Sequence, residues 1–598
     1  MSAPRPLRST LAVALALAAA PALAGEFEGA VFFGDSLTDS GHFQNQLPAN
    51  VRPITGKFTT NPAWVWAEYL ADRYDGNGFT DNQGGDNYAQ GGSRVTVQNG
   101  AAESTVSQVG RYLAANGGKA NPDTLYTVWT GANDLFAVAA GAPPQATLAT
   151  AVGGVVQIVG TLDAAGARYI LVPSLPDMGI TPNAIAAGPV AQATLTQLAT
   201  TYNTSMYGAL SQAGYRVIPL DTFSMLREVV ASPVTYGMRN VTQTACLPPS
   251  GSSLTCNPSS LVAPDAASTY LFADGVHPSG AAHAILADYA ISVLEGPQLI
   301  GVLPHSAKVI GRSRADQVAY HLPEAPEAAG LRWWGGLRAD TQRYDHADLY
   351  DGMAPAGLFG LDWANGNGIV AGGFLGYGRM DADFGGNRGD FEQADATFGG
   401  FLGWYGGRSW VNAQASYTSL DYDVTRDVRM GPAMRRHNGS TDGSNTAFGV
   451  NGGYDFGEGA LRHGPVAGLL WQKVEVDGFS EDNLSSTALA YSDQTLDSLV
   501  GSLGWQVRYD AGSWTPYLRA TWDHEFEDAQ EEVFARLQTL PDQEYAVPGV
   551  DFDGDFGTVV LGARFGLFGL DADAGVRASA GQDGGSDSGV FLSLGGSF

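Results

Sequence analysis

Between Leu331 and the terminal Phe598, apolar residues recur at every second position, and the residues facing the other way carry charge. In 331–340, Leu331, Trp333, Gly335, Leu337 and Ala339 share one side of a strand, and Arg332, Trp334, Gly336, Arg338 and Asp340 share the other. Trp514, Leu518, Ala520 and Trp522 oppose Tyr517, Arg519, Thr521 and Asp523 in the same way, and Val559, Leu561, Ala563, Phe565 and Leu567 oppose Arg564. Leu570, Ala572, Ala574, Val576 and Ala578 oppose Asp571, Asp573, Arg577 and Ser579. Segments of about 9 to 11 residues cross a bilayer as tilted strands, with the apolar face toward lipid and the charged face toward a lumen. A soluble sandwich gives the reverse arrangement, and alternation alone does not separate the two. An export signal, turns rich in Gly and Asp, and a terminal strand with Val590, Leu592, Leu594 and Phe598 on one face all favour the membrane.

The strand pattern fills only the second half of 598 residues, a length that implies more than one folded unit. Charged residues are only 16% of the chain and glycine fills 79 positions, a balance suited to sheet-rich surface or outer-membrane proteins. Against 61 Asp and Glu stand 32 Lys and Arg, for a formal net charge of -29. The basic surface that neutralises phosphates is missing, so nucleic acid is excluded as a partner. Arg5 and Arg8, an apolar run over 11–20 and the small-x-small sequence Ala22-Leu23-Ala24 read as a secretory signal peptide over 1–24. The run is about half the roughly 20 residues that a spanning helix needs. Cys246 and Cys256 are the only cysteines, and export to an oxidising compartment predicts a disulfide between them. In the sequence, neither lies near a motif with catalytic chemistry.

From Ala30 to Leu294 short apolar strands alternate with amphipathic helices. The strands are expected over 30–34, 125–130, 169–173 and 216–220, and the helices over 62–73, 146–164, 191–214 and 280–294. That order implies a parallel sheet covered on both faces, with functional loops at the C-terminal strand ends. The first strand ends in Phe33-Gly34-Asp35-Ser36-Leu37-Thr38-Asp39-Ser40-Gly41, which places the Ser36 hydroxyl at such an end. A serine needs a neutral imidazole to take its proton and an acid to orient that imidazole, and Asp274-Gly275-Val276-His277-Pro278 offers both from one loop. Donors for the resulting oxyanion are available at Gly92, in Asn87-Tyr88-Ala89-Gln90-Gly91-Gly92, and at Asn133, in Trp129-Thr130-Gly131-Ala132-Asn133-Asp134. Gly91 is the alternative to Gly92. No zinc-type cluster or calcium loop is visible, so the chemistry is expected to need no metal or other cofactor.

These four motifs, in this order over about 30–294, resemble the GDSL, or SGNH, hydrolases. The resemblance implies Ser36 as nucleophile and backbone oxyanion donor, Gly92 and Asn133 as the other donors, His277 as base and Asp274 as its orienting acid. The segment 175–179 also resembles a loop of that family, without a catalytic role. A barrel closing on a terminal Phe resembles the autotransporter β-domain, which implies 12 strands and a helix through the lumen. Thirteen candidate strands can be counted; 533–540 is the weakest and is expected in a loop or a strand extension. The combination is similar to the autotransporter esterases of the EstA type. The expected fold is therefore an α/β three-layer, flavodoxin-like SGNH-hydrolase passenger followed by a 12-stranded transmembrane β-barrel with a helix through its lumen. The expected divisions are a signal peptide over 1–24, the passenger over 25–295, a linker helix over 296–328 and the barrel over 329–598. The resemblance implies a cell-surface serine esterase or lipase acting on fatty-acyl or short-chain esters through an acyl-enzyme. The alternatives are a lysophospholipase or sugar-acetyl esterase and, in a different class, a non-catalytic surface adhesin. The expected partners are an ester or lipid substrate, outer-membrane lipids and the barrel-assembly machinery, with the chain itself a monomer in the outer membrane and its catalytic half outside the cell.

Overall fold

The computed structural model describes residues 27–247, 252–322, 324–326, 328–344, 349–528, 530–582 and 585–598. The expected signal peptide lies outside them.

The first half is built on four parallel strands, β1 (Ala30–Gly34), β2 (Leu125–Trp129), β3 (Tyr169–Pro173) and β4 (Ile218–Leu220), in the spatial order β1-β2-β3-β4. Every residue of the four is buried, as expected for strands covered on both faces. A fifth segment pairs along the free edge of β1: Phe32 N–H donates to Asp86 O, and the Tyr88 and Gln90 N–H groups donate to Phe32 O and Gly34 O. Counted in chain order, that segment is second, and the sheet runs 2-1-3-4-5, the flavodoxin-like order. Trp66–Arg73 and Gly280–Ile300 pack together on one side, and Thr105–Ala115, Ala132–Ala139, Pro144–Ala165 and Pro189–Gln212 form the other layer.

Thr105–Ala115, Ala132–Ala139 and Thr222–Ala231 are helices that the hydrophobic pattern did not announce. In Thr105–Ala115 the buried face includes Thr105 and Gln108, so burial there does not follow apolarity.

Twelve antiparallel strands close the second half into a barrel, the last, Gly585–Ser597, pairing with the first, Gly330–Tyr344. The faces divide as the alternation predicted. Leu337, Trp522, Leu561 and Val590 are exposed on the outside, while Arg338, Asp340, Arg519, Asp523 and Arg577 are buried. The thirteenth candidate is not in the barrel. Glu532–Leu537 joins Phe479–Ser480, Leu489–Tyr491 and Glu544–Pro548 in a separate four-stranded sheet. Its apolar side, Val533, Ala535 and Leu537, is buried rather than turned toward lipid. This sheet packs on Gly280–Ile300, and the Tyr545 hydroxyl donates to Val293 O at 2.9 Å.

The expected division at 295/296 falls inside Gly280–Ile300, because Leu299 and Ile300 continue its buried surface. After Gly301 the chain resumes as the helix Val302–Ala319 inside the barrel. Barrel side chains donate to its carbonyls: Gln414 Nε2 to Ala315 O at 2.8 Å, Asn412 Nδ2 to Ala319 O at 2.7 Å and Gln472 Nε2 to Lys308 O at 3.2 Å. Its charges meet opposite charges on the wall: Arg314 with Asp395, Arg312 with Asp587 at 3.0 Å, Lys308 with Glu525 at 3.4 Å and Asp316 with Arg577 at 3.5 Å. Asp587 also pairs with Arg577, so one carboxylate neutralises a helix arginine and a wall arginine.

Asp587→Ala leaves both guanidinium groups buried without that carboxylate, which costs about 3–5 kcal/mol. The expected outcome is a clearly lower temperature for the compact-to-extended shift of the barrel in detergent gel electrophoresis. Asp427→Ala removes an exposed pair with Arg436 and should leave that temperature within a few degrees of the wild type. Equal heat resistance in the two variants contradicts this account of the lumen.

Candidate active site

β1 stops at Gly34, where φ is +151° and an added Cβ would lie 2.2 Å from the Trp129 carbonyl oxygen. Only glycine allows the chain to turn off the sheet this close to β2. The buried Gln108 clamps the turn: its Oε1 accepts the Gly34 N–H at 2.9 Å, and its Nε2 donates to Gly34 O at 2.9 Å and to Ser93 Oγ at 3.1 Å. Beyond the turn, the Thr38 and Asp39 N–H groups donate to Asp35 O, which leaves Ser36 at the crest.

His277 reaches Ser36 from the far end of the passenger sequence, with Nε2 at 2.8 Å from Ser36 Oγ. Its Nδ1 lies 2.9 and 2.8 Å from the two oxygens of Asp274. With the Nδ1 proton donated to Asp274, Nε2 is the acceptor for the Ser36 hydroxyl. Asp274 Oδ1 also accepts the N–H groups of Val276 and His277 at 3.0 and 2.8 Å, and Oδ2 accepts the Ser253 N–H at 2.7 Å. Burial opposes the negative charge of Asp274, but the His277 imidazole and these hydrogen bonds outweigh it and hold the carboxyl well below the usual carboxylate range. The Phe58 ring lies against the imidazole at a centroid separation of 5.0 Å.

The two glycines proposed as oxyanion donors have different partners. The Gly91 N–H donates to the buried Asp39 Oδ2 at 2.8 Å and is already engaged. Gly92 has φ +88°, and its carbonyl accepts Asn99 Nδ2 at 2.9 Å. The Gly92 and Ser36 N–H groups have no acceptor among the described residues. Asn133 stands in the first turn of the helix Ala132–Ala139, and its Nδ2 donates to Ser93 O at 3.0 Å and to Asp35 Oδ2 at 3.4 Å. Both N–H groups of this amide therefore have acceptors, and the longer bond, to Asp35, is the one an oxyanion would have to displace. Asp134 ties that helix to the preceding loop through the Val95 N–H at 3.0 Å and Arg94 Nε at 2.9 Å.

Three supporting residues were not singled out by sequence reasoning. Asp39 lies inside the quoted Ser36 motif and could have been flagged there. Gln108 and Ser253 carry no local signal. Ser253 also corrects one expectation: Cys246 and Cys256 form a disulfide, and the turn next to Cys256 touches Asp274. In space the cysteines do lie near the motif.

The model of the GDSL-like Lipase/Acylhydrolase family matches residues 31–290, and that of the Autotransporter beta-domain matches residues 333–576. Esterase EstA of Pseudomonas aeruginosa is 30% identical over 93% of this chain and 94% of its own length. Lipase 1 of Photorhabdus luminescens is 25% identical over 85% of this chain and 86% of its own. Among solved structures, the translocator domain of the autotransporter NalP from Neisseria meningitidis matches with a TM-score of 0.39 at 17% identity, covering 49% of this chain and 96% of that one. With the two family models on its two halves and EstA matched along nearly its whole length, the chain belongs to the GDSL autotransporter esterases, outer-membrane proteins that join a GDSL esterase to an autotransporter barrel.

Proposed function

We propose that this protein hydrolyses carboxylic esters through an acyl-enzyme on Ser36. The observation that carries the reading is the unbroken hydrogen-bonded chain from Ser36 through His277 to Asp274. As Ser36 Oγ bonds to the ester carbonyl carbon, its proton passes to His277 Nε2, and Asp274 stabilises the imidazolium that forms. The carbonyl oxygen, now an anion, takes hydrogen bonds from the N–H groups of Ser36 and Gly92 and from Asn133 Nδ2. Collapse of the tetrahedral intermediate breaks the bond to the leaving alkoxide, which receives the proton from His277. Water then attacks the acyl-enzyme with His277 again as base, releasing the acid and restoring Ser36.

The division into passenger, linker helix and barrel supports display of the catalytic half at the extracellular surface. The near-continuous helical path from Gly280, three residues after His277, into the lumen supports that arrangement. A monomer placed in the membrane by the barrel-assembly machinery is part of the same proposal and follows from the family likeness alone. Fatty-acyl or short-chain esters are the substrate class. A series of acyl-chain lengths assayed on purified protein separates them, and a sharp optimum at two carbons favours a sugar-acetyl esterase.

Ser36→Ala and His277→Ala should each lower kcat by at least about 10^4-fold with the protein still displayed. Asn133→Ala should lower kcat about 10^2 to 10^3-fold with little change in KM. Wild-type turnover of a chromogenic ester by Ser36→Ala sinks the assignment.

Asp35 yields a prediction of another kind. Burial, offset in part by the Leu37 N–H and His277, pushes its carboxyl from the ordinary 3.8 up to about 7. A carboxyl whose folded pKa is raised binds its proton more tightly in the folded state. Its contribution to stability is therefore most favourable below about pH 4 and declines as pH rises toward 7, by up to about 4 kcal/mol. Asp35→Asn cannot ionise, so its melting temperature relative to the wild type should rise between pH 4.5 and 7.5, followed by near-ultraviolet circular dichroism. A constant difference across that range contradicts a protonated Asp35.

A further inference from the structure

Asp274 has a brace outside its own turn. Two of the backbone N–H groups that it accepts, from Val276 and His277, belong to the loop that also carries the imidazole, so they move with it. Among the described residues, Ser253 alone supplies a donor to this carboxylate from another part of the chain. Ser253 is fully buried and opens the short helix Ser253–Thr255. Its carbonyl accepts Asn61 Nδ2 at 2.8 Å, and the carbonyl of Leu254 accepts the Gly56 N–H at 2.8 Å.

The disulfide closes a circuit around this contact. Cys256 lies three residues after Ser253, and its N–H donates to Ser253 O at 3.1 Å. Cys246 lies at the other end, and its N–H donates to the carbonyl of Ala273, the residue before Asp274, at 3.0 Å. Both sulfurs are buried against Ala273. The path therefore runs from Asp274 through Ala273, Cys246, Cys256 and Ser253 back to Asp274, and the bond between the cysteines is its one covalent crosslink.

We propose that Ser253 is a positioning residue for the esterase reaction, its N–H held on Asp274 by the Cys246–Cys256 disulfide, so that full activity requires the oxidised pair. This rests on the Ser36, His277 and Asp274 reading. Opening the disulfide frees the turn that carries Ser253. Asp274 then keeps only the donors of its own loop, and the imidazole that it orients loses its fixed approach to Ser36. Substrate contacts are untouched, so the loss falls on kcat rather than KM.

The test uses the full-length protein in detergent, with folding checked by near-ultraviolet circular dichroism and by the gel shift of the barrel. Ser253→Pro removes the N–H at the first position of a short helix, where proline is well tolerated, and the extended Ser252 before it already suits a following proline. Ser253→Ala keeps the N–H. Cys246→Ala/Cys256→Ala removes the crosslink. Ser253→Pro and the cysteine pair should each lower kcat about tenfold with KM changed less than about twofold, Ser253→Ala should match the wild type, and the combined variant should fall no further than either alone. Wild-type kcat in the cysteine pair, or equal losses in Ser253→Pro and Ser253→Ala, overturns the proposal. If Ser253→Pro does not fold, the cysteine pair decides the matter alone. Ser36→Ala is assayed beside them: turnover surviving there removes the triad itself, whereas an inactive Ser36→Ala with wild-type kcat in the cysteine pair removes only the role of Ser253.

Discussion

Inside a bilayer an unpaired backbone amide has no water to bind, and the architecture of this protein follows from that constraint. Each barrel strand is paired on both sides, and closure of Gly585–Ser597 on Gly330–Tyr344 leaves no edge. Closure creates a lumen whose wall side chains need partners of their own, and the helix Val302–Ala319 supplies them through Lys308, Arg312, Arg314 and Asp316. The strands Ser409–Met430 and Ala433–Tyr454 have 22 residues each, about twice what a crossing needs. The excess carries their connecting turn up to the passenger, where the Gly431 N–H donates to Asp288 at 2.7 Å and Arg435 pairs with Glu228 at 2.8 Å.

The helix Gly280–Ile300 is where the two halves meet. It begins beside the His277 loop, with its Gly280 N–H bound to Thr60 Oγ1, and ends at the entrance to the lumen. Near its C-terminal end, Glu295 pairs with Arg73 of the passenger at 2.6 Å and with Arg388 of the barrel at 3.2 Å. A buried carboxylate shared by cations from both halves ties them more tightly than a surface pair does, because releasing either cation leaves a desolvated charge behind. The mount and the catalyst thus share one helix, and the boundary expected at 295/296 falls within its last turns.

The barrel was legible because its signal is geometric: one face of every strand must be apolar and the other must not, and Arg338, Asp340, Arg519 and Asp523 identify the inner face from sequence alone. The same rule also counts 533–540, the segment expected in a loop or a strand extension, which lies outside the barrel with its apolar side covering protein instead of lipid; alternation records burial without naming what does the burying. In the passenger, Ser36, Asp274 and His277 could be named because their chemistry demands those residue types. Spacing does not distinguish Gly91 from Gly92 as the proposed donor; what separates them is that Asp39 accepts the Gly91 N–H. Nor could the braces be read. Gln108 and Ser253 act at 74 and 21 residues from their partners, and ordinary residue types at such separations leave no local pattern.

What the motifs do share with the fold is a repeated device at the C-terminal edge of the sheet. Each of the four strands is followed by a buried aspartate that accepts backbone N–H groups: Asp35 from Leu37 after β1, Asp134 from Val95 after β2, Asp177 from Gly179 after β3 and Asp221 from Ser224 after β4. Asp39 takes three such groups, from Gly41, His42 and Gly91, and Asp274 takes three more. Aspartate suits this work because its short side chain reaches amides two and three residues ahead without giving up rotamer freedom as long side chains do. The loops that present Ser36, Gly92, Asn133 and His277 are therefore held by aspartate-to-backbone bonds, which depend little on neighbouring side chains. A site built this way can keep its geometry while many of the side chains around it change. The excess of acid over base, which in bulk terms only rules out nucleic acid, thus has a local structural use at the edge where the chemistry sits.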